Sequence, residues 1–381
     1  MDDLISDARV MIECESPSDD HEAVARSAEV VTSVVGSRLR EAGLPGEPER
    51  IEIDGVTHLR WQLGEGPRRV LLLGHHDTVW PHGTLATHPF LVHDGVMRGP
   101  GCFDMLVGIA QAAHAVTALA RQATKAGRTP QEALDGVTIL ITGDEELGSL
   151  TSRALVEDSA RECDAVLVLE AAGPGGAVKT ERKGASGYVI EAVGRAAHAG
   201  LEPEKGINAG IELAHALLAV APLADAAAGT TVTPTKGSIG TTTNTVPARA
   251  SVTVDVRART AAEQRRVDAA IRTLSPTLSG AELQVTGGIN RPPLDLDASA
   301  ALGERAQRLA TEAGIATLAS CAVGGGSDGN FTAGLGVPTL DGLGAVGGGA
   351  HADDEHTLVD HIPHRTALVA LLIQDVLESR R

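Results

Sequence analysis

Aromatic residues are scarce in this chain: two Trp, one Tyr and three Phe make up 2% of 381 residues. Its cores must therefore be largely aliphatic, and the 43% apolar content is enough for the two domains that this length allows. Cysteine is nearly as rare. Cys14, Cys102, Cys163 and Cys321 are widely spaced with no Cys-x-x-Cys, so no disulfide framework is indicated. Basic charge is also short, with 32 Lys and Arg against 50 Asp and Glu and a formal net charge of −18. That balance argues against nucleic acid as a partner, because such binding depends on neutralising phosphates. An acidic substrate would need a local arginine pocket against an unfavourable global field. No run approaches about 18 consecutive apolar residues without charge, so no membrane span is expected. The opening Met1-Asp2-Asp3-Leu4-Ile5-Ser6-Asp7 lacks a basic n-region and an apolar h-region, which makes a cytoplasmic protein the expectation. There is no internal repeat and no low-complexity tract.

What the chain does contain is a set of five short motifs rich in metal-type ligands. They are Gly74-His75-His76-Asp77-Thr78, Gly99-Pro100-Gly101-Cys102-Phe103-Asp104, Gly143-Asp144-Glu145-Glu146, Leu169-Glu170 and Ala350-His351-Ala352-Asp353. A donor set of histidines and carboxylates without cysteine suits zinc or another borderline divalent ion held for catalysis, since structural zinc sites are usually closed by thiolates. Two such ions about 3.5–4 Å apart share a carboxylate, polarise a carbonyl and acidify a water, which is chemistry that cleaves amides.

The runs before three of these motifs are continuous and apolar: Val70-Leu71-Leu72-Leu73, Val137-Thr138-Ile139-Leu140-Ile141-Thr142 and Ala165-Val166-Leu167-Val168-Leu169. They have the character of buried parallel strands, and the polar groups begin at their carboxyl ends, where open α/β sheets bind ligands. His75 and Asp77 share one face of an extended segment, so Asp77 can hold the His75 imidazole from behind, while His76 points the other way and is structural. A lone histidine at a strand end is ordinarily just a hydrogen-bonded group; the other motifs are what set His75 apart. Asp104 precedes a helical stretch from Met105 to Arg121 and fits either an N-cap or a bridging ligand. Glu145 and Glu146 are adjacent, so one can bind metal while the other faces the substrate; as an isolated pair they would be solvated acids. The first helix is expected from Ser18 or Asp19 to about Ala42, ended by Gly43 and Pro45.

In order and spacing, these motifs resemble the M20 metallopeptidase family, and most of all its glutamate carboxypeptidase branch, across roughly residues 70 to 360. The resemblance implies a zinc-exopeptidase-like α/β catalytic domain with a mostly parallel sheet, residues 1–182 and 293–381. It also implies an inserted ferredoxin-like lid and dimerisation domain, residues 183–292. It further implies two Zn2+ per subunit, with Co2+ or Mn2+ as substitutes: His75, Asp104 and Glu170 on one ion, and Asp104, Glu146 and His351 on the other, Asp104 bridging. Glu145 would be the general base and Asp77 would orient His75. Within the insertion, the order strand, helix, strand, helix, strand at Gly187–Val193, Ile207–Leu223, Ser251–Arg257, Ala261–Leu274 and Glu282–Val285 suits the β-α-β-β-α-β arrangement.

Gly194-Arg195-Ala196-Ala197-His198-Ala199-Gly200 and Thr243-Asn244-Thr245-Val246-Pro247 resemble two further family segments. They imply that His198 stabilises the oxyanion, in dimers at the other subunit's site, and that Asn244 helps to bind the substrate carboxylate. Arg257 and Arg291 match carboxylate-gripping positions, a task suited to a planar bidentate side chain, although either alone could be a solvated arginine. Gly324-Gly325-Gly326-Ser327-Asp328 resembles the family's substrate-cleft loop; it lacks the Gly-Lys-Ser/Thr ending of a phosphate loop. The chain departs from the family after Asp104-Met105, with Leu106-Val107-Gly108 for Lys-Gly-Gly. Ala171-Ala172 follows Glu170 in place of Pro, and no bulky residue precedes His351. No ligand is lost by these changes. The expected activity is release of a C-terminal amino acid, glutamate first among candidates, from a small peptide or N-acyl amino acid. The alternatives are a biosynthetic N-acyl amino acid deacylase and an inactive metal- or amino-acid-binding protein.

Overall fold

The computed structural model describes residues 1–315 and 318–379. The chain divides into two compact units, one comprising Met1–Glu181, Leu296–Val323 and Ser327–Arg381, the other Arg182–Asp295 with Gly324–Gly326. The larger unit is built on a six-stranded sheet in the order Glu49–Ile53, Val56–Leu63, Val137–Thr142, Val70–His75, Ala165–Val168, Thr339–Leu340. The three apolar runs are mutually parallel at its centre, joined by a fourth parallel strand at one edge and by an antiparallel hairpin at the other.

Period-two geometry divides each central strand between two cores. Val70, Leu72, Val137, Ile139, Ala165 and Leu167 face the larger cluster, with the helices Asp2–Ile12, His21–Glu41, Val107–Lys125 and Ile362–Glu378. Leu71, Leu73, Leu140, Val166 and Val168 face the smaller one with Leu155, Val156 and Phe331. Among the described residues only Trp61, Phe103 and Phe331 are buried aromatic members of these two clusters, with Phe90 partly buried against the larger one, so packing is aliphatic as the composition requires. The helical segment Cys102–Lys125 has the length and hydropathy to cross a membrane, but 78% of its apolar window is buried inside the fold, as in a core helix.

Two helix assignments need correction. A helix at Asp2–Ile12 precedes the expected first one, and the latter begins at His21 with Asp20 as its cap, its carboxylate accepting the amides of Glu22 and Ala23. Ser18 is unavailable as a cap because its hydroxyl donates to Asp77 Oδ2 at 2.8 Å. The helix after Asp104 starts at Val107 and runs to Lys125, because Asp104 and Met105 have non-helical backbone angles, Asp104 at φ −119° and ψ 96°, with a cis peptide bond between them.

The smaller unit runs strand, helix, strand, strand, helix, strand: Gly184–Val193, Ala209–Val220, Thr231–Ile239, Arg249–Ala258, Ala261–Arg272, Glu282–Arg291. Thr231–Ile239 is the one strand of this set without a sequence assignment above; its mostly exposed pattern explains why. Its sheet is antiparallel in the order third-to-last strand first: Thr231–Ile239, Arg249–Ala258, Gly184–Val193, Glu282–Arg291, which is the ferredoxin-like order. Tyr188, Ile190, Val252, Val254 and Val256 on one face pack with Leu213, Val220, Val267 and Ile271 of the two helices.

Candidate metal centre

His75 ends the Val70–His75 strand and is fully enclosed. Its Nδ1 lies 3.0 Å from the carbonyl oxygen of Asp77 and 3.4 Å from that residue's carboxylate, so Asp77 holds the ring from behind chiefly through its backbone. The Asp77 carboxylate is itself fully buried and would be costly there without donors. It receives three: the Ser18 hydroxyl and the amides of Glu145, at 3.2 Å, and Glu146, at 3.1 Å. Burial pushes the Asp77 carboxyl up, but His75 and Ser18 outweigh it and hold the pKa below its ordinary value. His76 points away, as its place in the strand requires, to Ser27 Oγ and the Thr57 carbonyl; burial lowers its pKa to about 4 and keeps it neutral.

Asp104 reaches the same place from a tight turn. Gly101, at φ 74°, supplies the left-handed step that opens it. Gly108, one turn on, lets the following helix approach the Leu169 carbonyl so closely that an added Cβ would lie 2.2 Å from it, which brings the helix start against the strand end carrying Glu170. Of the two roles open to Asp104, the N-cap is not taken: the helix Val107–Lys125 is preceded by Leu106 at the cap position and has no side-chain cap bond. Instead its Oδ1 lies 3.4 Å from His75 Nε2 and its Oδ2 lies 3.4 Å from His351 Nε2. Glu170 Oε1 is 3.5 Å from His75 Nε2, and Glu146 Oε1 is 3.1 Å from His351 Nε2. Glu145 is 8% exposed, and one of its oxygens lies within 4.8 Å of ligand atoms of both His75 and Glu170. His351 follows Gly347-Gly348-Gly349 and has φ 61°, a conformation disfavoured for a side chain of its size and of the kind that clusters at functional sites.

The electrostatics are those of a cation site. His75 Nε2 and Asp104 Oδ1 are buried polar atoms with no hydrogen-bond partner that face each other, and His75 Nε2 also faces Glu170. Burial alone would push the His75 pKa down, yet Asp104, Asp77 and Glu170 drive it well above its usual value. His351 is raised to about 10 by its contacts with Asp104 and Glu146. Burial raises Asp104, but the two histidines together hold it well below the carboxylate range, whereas burial raises Glu146. The carboxylates thus demand positive charge, and a donor set of imidazole nitrogens and carboxylate oxygens with orphaned atoms at its centre fits divalent metal.

The remaining signature residues belong to the smaller unit. His198 is exposed, and its Nδ1 accepts the amides of Gly200 and Leu201, both at 3.1 Å. Ala197 and His198 pair with Val246 and Thr245, and the Asn244 carbonyl accepts the Ala199 amide, so the two resembling segments lie side by side. Arg257 forms an ion pair with Asp255 at 3.0 Å, and Arg291 is 8% exposed. In the glycine-rich loop, Ser327 Oγ donates to Asp341, and Asp328 accepts from the hydroxyls of Thr142, at 3.1 Å, and Ser149, so this carboxylate ties the loop to the strand end. Glu355 is absent from the sequence reading. It closes the acidic run Asp353-Asp354-Glu355, whose local pattern marks it as solvated, but it is 4% exposed and accepts the amides of Gly101, Phe103 and Asp104.

The profile of peptidase family M20/M25/M40 matches residues 71–375, a span that contains every candidate residue above. The chain belongs to this family. It is 32% identical over 321 residues to carboxypeptidase G2 of Pseudomonas sp. strain RS-16, covering 82% of this chain and 75% of that protein. It is 31% identical over 341 residues to a succinyl-diaminopimelate desuccinylase of Paracoccus denitrificans, covering 83% and 85%. Solved structures share the fold: aminopeptidase PepT from Bacillus cereus with a TM-score of 0.74 at 21% identity over 99% of both chains, and an M20 family metallo-carboxypeptidase from Sulfolobus solfataricus with 0.73 at 14% identity over 98% and 99%. As an M20 member the protein is an enzyme, a metal-dependent hydrolase of amide bonds.

Proposed function

We propose that this M20 enzyme is a two-zinc metallocarboxypeptidase or amidohydrolase that releases a C-terminal amino acid, glutamate first among candidates, from a small peptide or N-acyl amino acid in the cytoplasm. The observation that carries the reading is the division of Asp104 between two histidines, one oxygen to each. His75, Asp104 and Glu170 are the donors for one ion and Asp104, Glu146 and His351 for the other, with Co2+ or Mn2+ as substitutes. When bound, such a pair polarises the scissile carbonyl and lowers the pKa of the attacking water toward roughly 7. Glu145 takes a proton from that water and returns it to the departing amine, a role open to a carboxylate that is nearly enclosed beside His75 and Glu170. Asp77 fixes the His75 ring and, through the amides of Glu145 and Glu146, fixes the base and one ligand as well.

The catalytic domain comprises residues 1–182 and 293–381, and residues 183–292 act as lid and dimerisation domain. Supporting a homodimer, Thr231–Ile239 is an edge strand, and exposed Ile239 accompanies exposed Ile211 and Leu218 on the Ala209–Val220 helix. In the dimer His198 stabilises the oxyanion at the partner's centre, while Asn244, Arg257 and Arg291 hold the substrate carboxylate. A second reading, an N-acyl amino acid deacylase of a biosynthetic pathway, draws support from the similarity to succinyl-diaminopimelate desuccinylases. An inactive binding protein would lack a ligand or the base, and here all are present. The test is release of free amino acid from a panel of N-acyl amino acids and dipeptides by zinc-loaded protein, with Glu145→Ala as control. Release by the parent alone supports hydrolysis at this centre, and the preferred residue separates the two readings; equal release by both proteins would refute it.

A further inference from the structure

The Glu355 carboxylate has four donors and is buried. Its Oε1 accepts the amides of Phe103 at 2.9 Å and Asp104 at 3.0 Å; its Oε2 accepts the Gly101 amide at 3.0 Å and the Trp80 indole N–H at 2.7 Å. These donors come from two segments that carry ligands of the proposed centre, the one after His75 and the turn holding Asp104. Glu355 itself lies four residues past His351. The strand His356–Leu358 that follows pairs with Val96–Arg98, which leads into the Asp104 turn, and the Thr357 hydroxyl donates to the Cys102 carbonyl at 2.8 Å. One buried group therefore joins three ligand-bearing segments, and one of its bonds is to the amide of the residue whose side chain is divided between the two histidines.

We infer that Glu355 is a positioning residue that sets the metal affinity of both halves of the centre by fixing the Asp104 turn. It touches neither substrate nor ion. The inference rests on the two-metal reading above. Glutamine at this position keeps size and shape but offers one acceptor oxygen where two are used, so it turns an N–H toward two of the four donors. The Asp104 turn then loses its seat while the hydrophobic core stays intact.

The experiment is titration of metal-free parent, Glu355→Gln and Trp80→Phe with Co2+, followed by electronic absorption, with the folded fraction measured by circular dichroism. The parent should take up two Co2+. Folded Glu355→Gln should bind both ions about 10–100-fold more weakly, the range seen when groups behind metal ligands are removed. Trp80→Phe, which deletes one donor, should show a smaller loss in the same direction. Raising Co2+ should return turnover to Glu355→Gln, because nothing that takes part in bond breaking has been removed. Folded Glu355→Gln with the parent's affinity would overturn the inference while leaving the parent's two ions in evidence. Should Glu355→Gln not fold, Trp80→Phe decides: weaker binding supports the assignment and unchanged binding overturns it. A parent that binds no Co2+ would end the metal reading and this inference with it.

Discussion

The charged residues of the larger unit and those of the smaller one are held in different ways. Around Asp104 the side chains other than His351, which is 48% exposed, are largely enclosed, and each of the carboxylates behind them is saturated: Asp77 by a hydroxyl and two amides, Glu355 by three amides and an indole. In the smaller unit His198 and Asn244 face solvent, and Arg257 rests on its own neighbour Asp255. A cluster of like charges away from water needs its geometry built in advance, because any misplaced oxygen there is costly. On the proposed reading, groups that meet a substrate can wait in water, satisfied by local partners that a substrate carboxylate would replace. The geometry around Asp104 is thus a property of the fold, whereas in the smaller unit His198, Asn244 and Arg257 lie at the surface or on local partners, and of the four candidate residues there only Arg291 is buried.

That contrast can be broken most sharply at Asp104. Asp104→Ala should lose both metals and all measurable turnover, since one carboxylate serves two donor sets; metal analysis after dialysis checks it, and retention of two ions would sink the bridge. Glu145→Ala should keep both metals and lose turnover by a factor on the order of 10²–10⁴. Loss of metal in that variant would make Glu145 a ligand, which its nearness to His75 and Glu170 also permits. In the smaller unit the readouts are a partial rescue and a binding defect. Mixing inactive His198→Ala with inactive Glu145→Ala subunits should restore about a quarter of parental activity, because half of the randomly paired dimers are mixed and one of their two centres is complete. No recovery despite proven exchange would exclude action across the dimer. Arg257→Lys should raise KM about ten-fold with kcat nearly unchanged, as expected when a bidentate contact made equally in ground and transition states is lost; a kcat defect would contradict a purely binding role.

The smallest effect concerns protons. In the metal-free enzyme the His351 pKa is raised to about 10 and that of His75 well above normal. A raised folded-state pKa contributes stability that is complete below the unfolded value near 6.5 and is lost as pH climbs through the folded value. The metal-free protein should therefore melt at lower temperature as pH rises from 6.5 toward 10, while metal binding strengthens over the same range because protons must leave both imidazoles. Calorimetry in two buffers of different ionisation enthalpy would count those protons, and release of none at pH 7 would refute the charge state.

The central strands were legible in the sequence because Val70–Leu73, Val137–Thr142 and Ala165–Val168 are apolar on both faces and stop where the ligands begin. The convergence of His75, Asp104, Glu146, Glu170 and His351 follows from those strand ends and the turns beside them. What could not be read is whatever depends on distant partners. Ser18 has the chemistry of a helix cap, and only the fold reveals that Asp77 claims its hydroxyl. The strand Thr231–Ile239 lacks a buried face to give it period two. Glu355 sits in a run of acids that any local rule assigns to solvent, and its burial depends on donors about 250 and 275 residues away.

The order of the chain has a consequence for how the centre comes into being. His75, Asp104, Glu146 and Glu170 precede the smaller unit in sequence, whereas His351 and Glu355 follow it. As the polypeptide leaves the ribosome, the entire inserted unit must emerge before the second donor set can be completed. On the proposed assignment, an interrupted translation product ending anywhere before His351 would carry the acids without their final imidazole and would be hydrolytically silent.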